Sequence, residues 1–107
     1  MGFEAELEAK LGKWAKAQGC LFYKFSSPAH RGVPDRVVIG PTGQILFLEL
    51  KAPGNKPTPL QVRELTILTK QGCNAHWADN LESAKALVQL HCLSYHLKGC
   101  GCGDPLE

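Results

Sequence analysis

Long apolar runs are absent from this sequence. Although 44% of its 107 residues are hydrophobic, no stretch approaches the roughly 18 to 20 apolar residues that a membrane-spanning helix needs. The opening Met-Gly-Phe-Glu also lacks the basic and apolar pattern of a secretory signal peptide. We therefore expect an intracellular protein that does not enter a membrane.

The chain also has little length and little excess of charge. With 107 residues, no internal repeat and no low-complexity linker, it has room for one core and one globular domain. Such a domain can hold only a small buried cavity, so an enzyme of this size is expected to act on a large polymer at its surface. The 12 Lys and Arg against 10 Asp and Glu give a formal charge of +2, which is too balanced to indicate nucleic-acid binding from composition alone.

Cysteines are few and odd in number. The five Cys residues cannot all pair within one chain, and thiols are the default state in a reducing compartment. Several of them lie near histidines towards the C-terminus, but their C-x-C spacing and H-C adjacency do not match the usual ligand spacing of zinc sites. A zinc-binding adaptor therefore stays an alternative that stoichiometric zinc in the purified protein would reveal. The residues concerned are His91, Cys92, His96, Cys100 and Cys102.

Helix and strand patterns alternate along the first part of the chain. Apolar residues at helical spacing mark a helix over residues 4–18, and Gly19 is placed as its stop. Residues 20–25 are rich in aromatic and apolar side chains and predict a strand. A loop rich in Ser, Pro and Gly then leads to Asp35.

A hairpin follows this loop. Two β-type runs, 36–40 and 44–50, are separated by Pro41-Thr42-Gly43. A type I turn closed by a left-handed glycine is a common three-residue hairpin loop. With this loop, the strands pair in a register that places Asp35 opposite Glu49.

The second half of the chain repeats the alternation. An N-cap Thr58, a proline in the first turn and Gln61 three residues after the cap predict the start of a second helix. A strand over 74–78 and a last helix capped by Asn80 follow. The order of helix, strand, hairpin, helix, strand and helix predicts an α/β fold with a mixed β-sheet flanked by helices, in three layers.

The predicted register brings two acidic side chains together. Opposed residues on antiparallel strands have Cβ atoms about 5 Å apart, so Asp35 and Glu49 could each place an oxygen on one cation. Lys51 lies two residues after Glu49 and projects from the same face. Hard oxygen ligands favour Mg²⁺ or Mn²⁺, and a metal ion beside an ammonium group suits phosphodiester hydrolysis. An isolated E-x-K tripeptide is more often a solvated ion pair. The neighbouring motifs are therefore needed to distinguish an active site from such a pair.

That context resembles a known nuclease family. The segments Gly32-Val33-Pro34-Asp35-Arg36, Glu49-Leu50-Lys51 and Pro59-Leu60-Gln61 are similar to the motifs of the VRR-NUC (virus-type replication-repair nuclease) family of the PD-(D/E)XK nuclease superfamily. The resemblance implies a restriction-endonuclease-like core over residues 1–91. Residues 92–107 form a tail outside it, and the last two residues look like a cloning remnant.

The resemblance also implies roles for individual residues. Asp35, Glu49 and the Leu50 carbonyl would hold the metal ion, and Lys51 would position the nucleophile.

Other residues match the family less directly. Glu4 would join the metal shell from the first helix, with Glu8 as the weaker candidate. Gln61 matches the family's glutamine and also fits the capping box, so a catalytic role and a cap role stay open.

Basic residues around the first motif are candidates for contacts with DNA phosphates. These are Lys24, Arg31 and Arg36. His30 lies in the same segment, but a metal ion would already supply an activated water, so we do not assign it as a general base.

The expected function is that of a Mg²⁺- or Mn²⁺-dependent, structure-selective DNA endonuclease. Stand-alone members of the family resemble Holliday-junction resolvases that act as homodimers on branched DNA, in phage replication, recombination and repair. A flap or nicking nuclease without junction preference and a non-catalytic nucleic-acid-binding module are the alternatives.

Overall fold

The computed structural model of the protein describes residues 2–94. Its elements follow one another in the predicted order, and within the described residues no helix is long and apolar enough to cross a membrane. The predictions for His96, Cys100, Cys102 and the last two residues lie outside this range. The elements are α1 (Phe3–Ala17), β1 (Leu21–Lys24), β2 (Arg36–Ile39), β3 (Ile45–Leu50), α2 (Pro59–Lys70), β4 (Asn74–Ala78), α3 (Leu81–Val88) and a π-helical turn (Gln89–Leu93).

The four strands form one mixed sheet in the order β1-β2-β3-β4. The first three strands are antiparallel neighbours, whereas β4 runs parallel to β3. A parallel pair needs a crossover connection, and α2 provides it. The predicted mixed sheet flanked by helices is therefore confirmed.

The predicted register of the hairpin is also confirmed. Arg36 pairs with Leu48 and Ile39 pairs with Ile45. At the turn, the Gly40 N–H donates to the Gln44 carbonyl at 2.7 Å. The turn glycine has a φ of +86°, the left-handed conformation that such a turn requires. Beyond the pair of Arg36 and Leu48, the next opposed residues are Asp35 and Glu49, and their side chains lie on the same face of the sheet.

The core lies between one face of the sheet and the helices α1 and α3. Alternate residues of β3, among them Leu46 and Leu48, point into it and are fully buried, as are Leu11 of α1 and Val88 of α3. Cys92 belongs to the same cluster, and its thiol donates to the Val38 carbonyl. The packed chain therefore continues past the predicted domain boundary at residue 91.

The opposite face of the sheet is only half covered. Helix α2 packs on β4, where Leu65 and Ala75 are buried. Over β1, β2 and the start of β3, no described helix lies on this face, and Leu21, Tyr23 and Ile45 are 48%, 53% and 44% exposed. The third layer predicted from the sequence is thus a single helix, and it leaves an apolar surface beside it.

Candidate active site

Three acidic side chains from separate elements meet where β2 begins and β3 ends. Glu4 comes from the first turn of α1, Asp35 directly precedes β2 and Glu49 lies on β3. One carboxylate oxygen of each residue lies within 4.8 Å of the others. The fold therefore brings together the three acidic residues that the sequence predicted as metal ligands.

Lys51 faces the same cluster. Its Nζ lies 3.7 Å from Oε2 of Glu49, and both side chains are largely buried. The backbone N–H of Lys51 donates to the Ala78 carbonyl at 2.9 Å, which fixes this end of β3 against β4. The two-residue spacing thus places the ammonium group and the carboxylate together, as expected for a strand.

Burial perturbs both central carboxyl groups. It raises the pKa of Asp35 to about 6, although the Leu50 N–H that donates to its Oδ1 at 3.3 Å acts in the opposite direction. It raises the pKa of Glu49 to about 7, and the nearby charge of Asp35 adds to this effect. Without a cation, Glu49 therefore retains part of its proton near neutral pH, whereas Asp35 loses its proton at a lower pH.

The site fits a hard divalent cation. All three side chains offer carboxylate oxygens, the donors that Mg²⁺ and Mn²⁺ prefer. Oε1 of Glu49 is buried and has no hydrogen-bond partner in the part of the chain that the structure describes. A buried polar atom without a partner is costly, and a bound cation would satisfy it. The Leu50 carbonyl stays a predicted fourth ligand.

Comparisons with known proteins agree with this geometry. No family model matches the chain. A solved structure described as "VRR_NUC domain" superposes with a TM-score of 0.77 and 30% sequence identity, over 83% of this chain and 97% of that one. The chain belongs to the VRR-NUC family. A second solved structure, a "VRR_NUC domain protein", shares the fold at a TM-score of 0.67 and 19% identity, over 82% of this chain and 86% of that one.

A curated relative of this VRR-NUC chain comes from a phage. The "Putative nuclease p44" of Acyrthosiphon pisum secondary endosymbiont phage 1 is 52% identical over 61 residues. The match covers 57% of this chain and 66% of the relative's own length. It supports the family assignment that the superposition gives.

Gln61 caps α2 and also contacts the candidate site, while its catalytic role stays a prediction. Its Oε1 accepts from the Thr58 N–H at 2.9 Å, and its own N–H donates to Thr58 Oγ1 at 3.2 Å, which completes the capping box. Its Nε2 donates to Oε2 of Glu49 at 3.1 Å. One amide therefore caps α2 and holds a carboxylate of the candidate active site.

The residues predicted to contact DNA are placed differently from one another. Lys24 and Arg31 are exposed and stay predicted phosphate contacts. Arg36 is only 4% exposed, because its guanidinium pairs with Glu8 and donates to the Asp35 carbonyl at 2.7 Å. This placement argues against the predicted phosphate contact, since the charge is already compensated inside the VRR-NUC fold.

The contacts of two acidic residues were not predicted from the sequence. Glu8 was only a weak ligand candidate, yet it pairs with Arg36; its position one helical turn after Glu4 was the available signal. The other is Glu64 of α2, which is buried and lies 2.8 Å from Nε2 of His30. No local pattern predicts this pair, because it joins the loop before Asp35 to a distant helix.

The double role of Gln61 predicts a specific outcome for two substitutions. Thr58→Ala and Gln61→Ala should each lower the free energy of unfolding by about 1 kcal/mol, because each breaks the capping box. Only Gln61→Ala should also raise the pKa of Glu49, because it removes a hydrogen bond to the charged form. Urea unfolding and carboxyl NMR titration measure the two effects. Equal Glu49 pKa values in both variants would contradict the assignment.

The raised pKa values predict how stability depends on pH. Folding favours the protonated form of both carboxyl groups, so their stabilising contribution is complete below the unfolded values of 3.8 and 4.5 and is lost as pH rises through about 6 and 7. In metal-free protein, Glu49→Gln should therefore become more stable relative to the wild type between pH 5 and pH 8. Thermal unfolding of both proteins measures this difference, with Glu82→Gln at an exposed position as the control. A difference that does not change with pH would refute it.

Proposed function

We propose that this VRR-NUC protein is a Mg²⁺- or Mn²⁺-dependent DNA endonuclease that selects its substrate by structure, like a Holliday-junction resolvase. The convergence of Glu4, Asp35 and Glu49 beside Lys51 carries the proposal. Membership of a nuclease family and a phage relative named as a nuclease support it.

The side chains of the site have different proposed roles. Glu4, Asp35, Glu49 and the Leu50 carbonyl would hold the cation. A bound divalent cation lowers the pKa of a water molecule and stabilises negative charge on a phosphoryl oxygen. The ammonium group of Lys51 is placed to orient the attacking water or the scissile phosphate.

The position of the site suits a polymer. The acidic cluster lies at the ends of strands, and a domain of this size can act on a substrate much larger than itself only from its surface. A chain of 107 residues leaves little room for a separate element that reads base edges, so recognition of DNA shape is the more economical mode. Lys24 and Arg31, both exposed, are the proposed phosphate contacts.

The alternatives differ in what they leave unexplained. A flap or nicking nuclease would use the same site and differ only in substrate preference. A non-catalytic nucleic-acid-binding module would gain nothing from buried, mutually repelling carboxylates, which are costly without a cation. Cys92 is poorly placed to serve a zinc adaptor, because its thiol is buried and donates a hydrogen bond to the Val38 carbonyl.

The uncovered half of the sheet is the proposed homodimer interface. Its exposed apolar side chains include Leu21, Tyr23 and Ile45, and contiguous apolar patches commonly mark contacts between proteins. A two-fold symmetric pair would present two active sites to a four-way junction. Symmetric cleavage of two strands would then follow from the assembly.

The metal-ligand assignment predicts a difference between ligands and Lys51. Asp35→Asn and Glu49→Gln should each abolish cleavage, because each removes an anionic ligand with little change of volume. Lys51→Ala should also lose cleavage but still bind the cation, since Lys51 is not a ligand. Cleavage assays with and without Mg²⁺, beside calorimetric titration with Mn²⁺, make the comparison. Near-normal cleavage by either carboxylate variant would reject the proposed site.

The dimer predicts a specific response to substrate and mutation. On a panel of four-way junction, flap, nicked and plain duplex DNA, we expect preference for the junction and two symmetric cuts. Tyr23→Lys should convert the dimer to a monomer in light scattering, because it places a charge in an apolar interface. Leu90→Lys is the matched control, since Leu90 is 64% exposed and lies on the π-helical turn. A monomeric wild type that nicks one strand at random would reject the resolvase proposal and leave the nuclease proposal intact.

A further inference from the structure

Glu8 and Arg36 connect helix α1 to strand β2 beside the acidic cluster. The Arg36 side chain is almost completely buried and pairs with the Glu8 carboxylate. The same guanidinium donates to the backbone carbonyl of Asp35 at 2.7 Å and lies over the Phe22 ring, 6.0 Å from its centroid. One side chain thus contacts the helix that carries Glu4, the backbone of Asp35 and the edge strand.

This arrangement defines geometry more than it adds stability. Arg36 is buried whereas Glu8 is partly exposed, and an ion pair repays little of the desolvation cost of its buried member. A guanidinium, however, presents donors in a rigid planar fork and fixes the direction of each partner. The contact between Glu8 and Arg36 therefore sets the position of α1 relative to the start of β2.

The start of α1 depends on such a contact. Its N-cap residue is Gly2, which offers no side chain to cap the helix. Leu7 is the first buried residue of the helix, and Glu4 lies before it. Because Glu8 follows Glu4 by one turn, both project from the same side of the helix. A contact that holds Glu8 consequently holds Glu4 over Asp35 and Glu49.

We infer that Glu8 and Arg36 are positioning residues of the active site: their contact fixes the first turn of α1 so that the Glu4 carboxylate reaches the cation site. The inference rests on the proposed metal-dependent function. Neither residue contacts the cation or the substrate in this assignment. Arg36 acts on Asp35 as well, through the hydrogen bond to its backbone carbonyl.

A double-mutant cycle on cation affinity tests the inference. Calorimetric titration with Mn²⁺ is carried out on the wild type, Glu4→Gln, Glu8→Gln and the double variant. Loss of a residue that orients a metal ligand commonly weakens affinity about tenfold or more, so each single variant should show such a loss. The double variant should bind no more weakly than Glu4→Gln alone, because Glu8 acts through Glu4.

A matched control separates position from charge. Glu6→Gln removes the same charge from the same helix turn at an exposed position, and it should change Mn²⁺ affinity by less than about twofold, as a screened surface charge would. If Glu8 acted only by leaving Arg36 uncompensated, its loss would weaken binding equally in the Glu4→Gln background. Additive losses in the double variant would therefore overturn the inference, as would unchanged affinity in Glu8→Gln.

A second variant covers failure to fold. Where thermal unfolding shows that Glu8→Gln does not fold, Glu8→Asp replaces it, because aspartate keeps the charge but its shorter side chain cannot hold Arg36 in the same position. This variant should lose Mn²⁺ affinity by the same factor in the wild-type background, and should lose none in the Glu4→Gln background. An additive loss, or none, rejects the positioning role. Absence of Mn²⁺ binding in the wild type would reject the proposed function and this inference together, whereas unchanged binding in the variants would reject the inference alone.

Discussion

The pairing of β2 with β3 is the constraint on which the candidate site depends. Alternate residues of β3 supply leucines to the core on one face, which leaves Phe47 and Glu49 on the other. Because side chains alternate along a strand, a shift of one residue would turn Glu49 into the leucine core. The packing that stabilises the domain thus also selects the register that brings Glu49 beside Asp35.

The electrostatics of the site follow from this placement. Burial penalises the charges of Asp35 and Glu49, and their mutual repulsion adds to the penalty for Glu49. The surrounding groups offset only part of it: the Leu50 N–H, the Gln61 amide and the ammonium group of Lys51. Active sites commonly retain such unfavourable charge arrangements because ligand binding relieves them. The two nearby cations differ in kind, since Arg36 is enclosed in the scaffold and Lys51 faces the cluster.

Local patterns in the sequence predicted a large part of the fold. The start of α2 at Thr58, the strand over 74–78 and the hairpin register depend on neighbouring residues, and all three are found. The burial of Arg36 could not be predicted, because it depends on Glu8 from a separate element. The place of Cys92 in the core was not predicted, for a similar reason. Cys92 enters the core because Gly40 of the hairpin has no side chain where the Cys92 carbonyl lies.

The shared use of the Gln61 amide has a consequence for local fluctuations. Helix ends open more readily than helix centres, and the first turn of α2 is held by the same side chain that contacts Glu49. Fraying of this turn therefore also moves the amide that contacts the Glu49 carboxylate. The hydrogen bond between Gln61 and Glu49 can therefore last no longer than this turn stays closed, whereas the average pKa of Glu49 changes little as long as the amide is present.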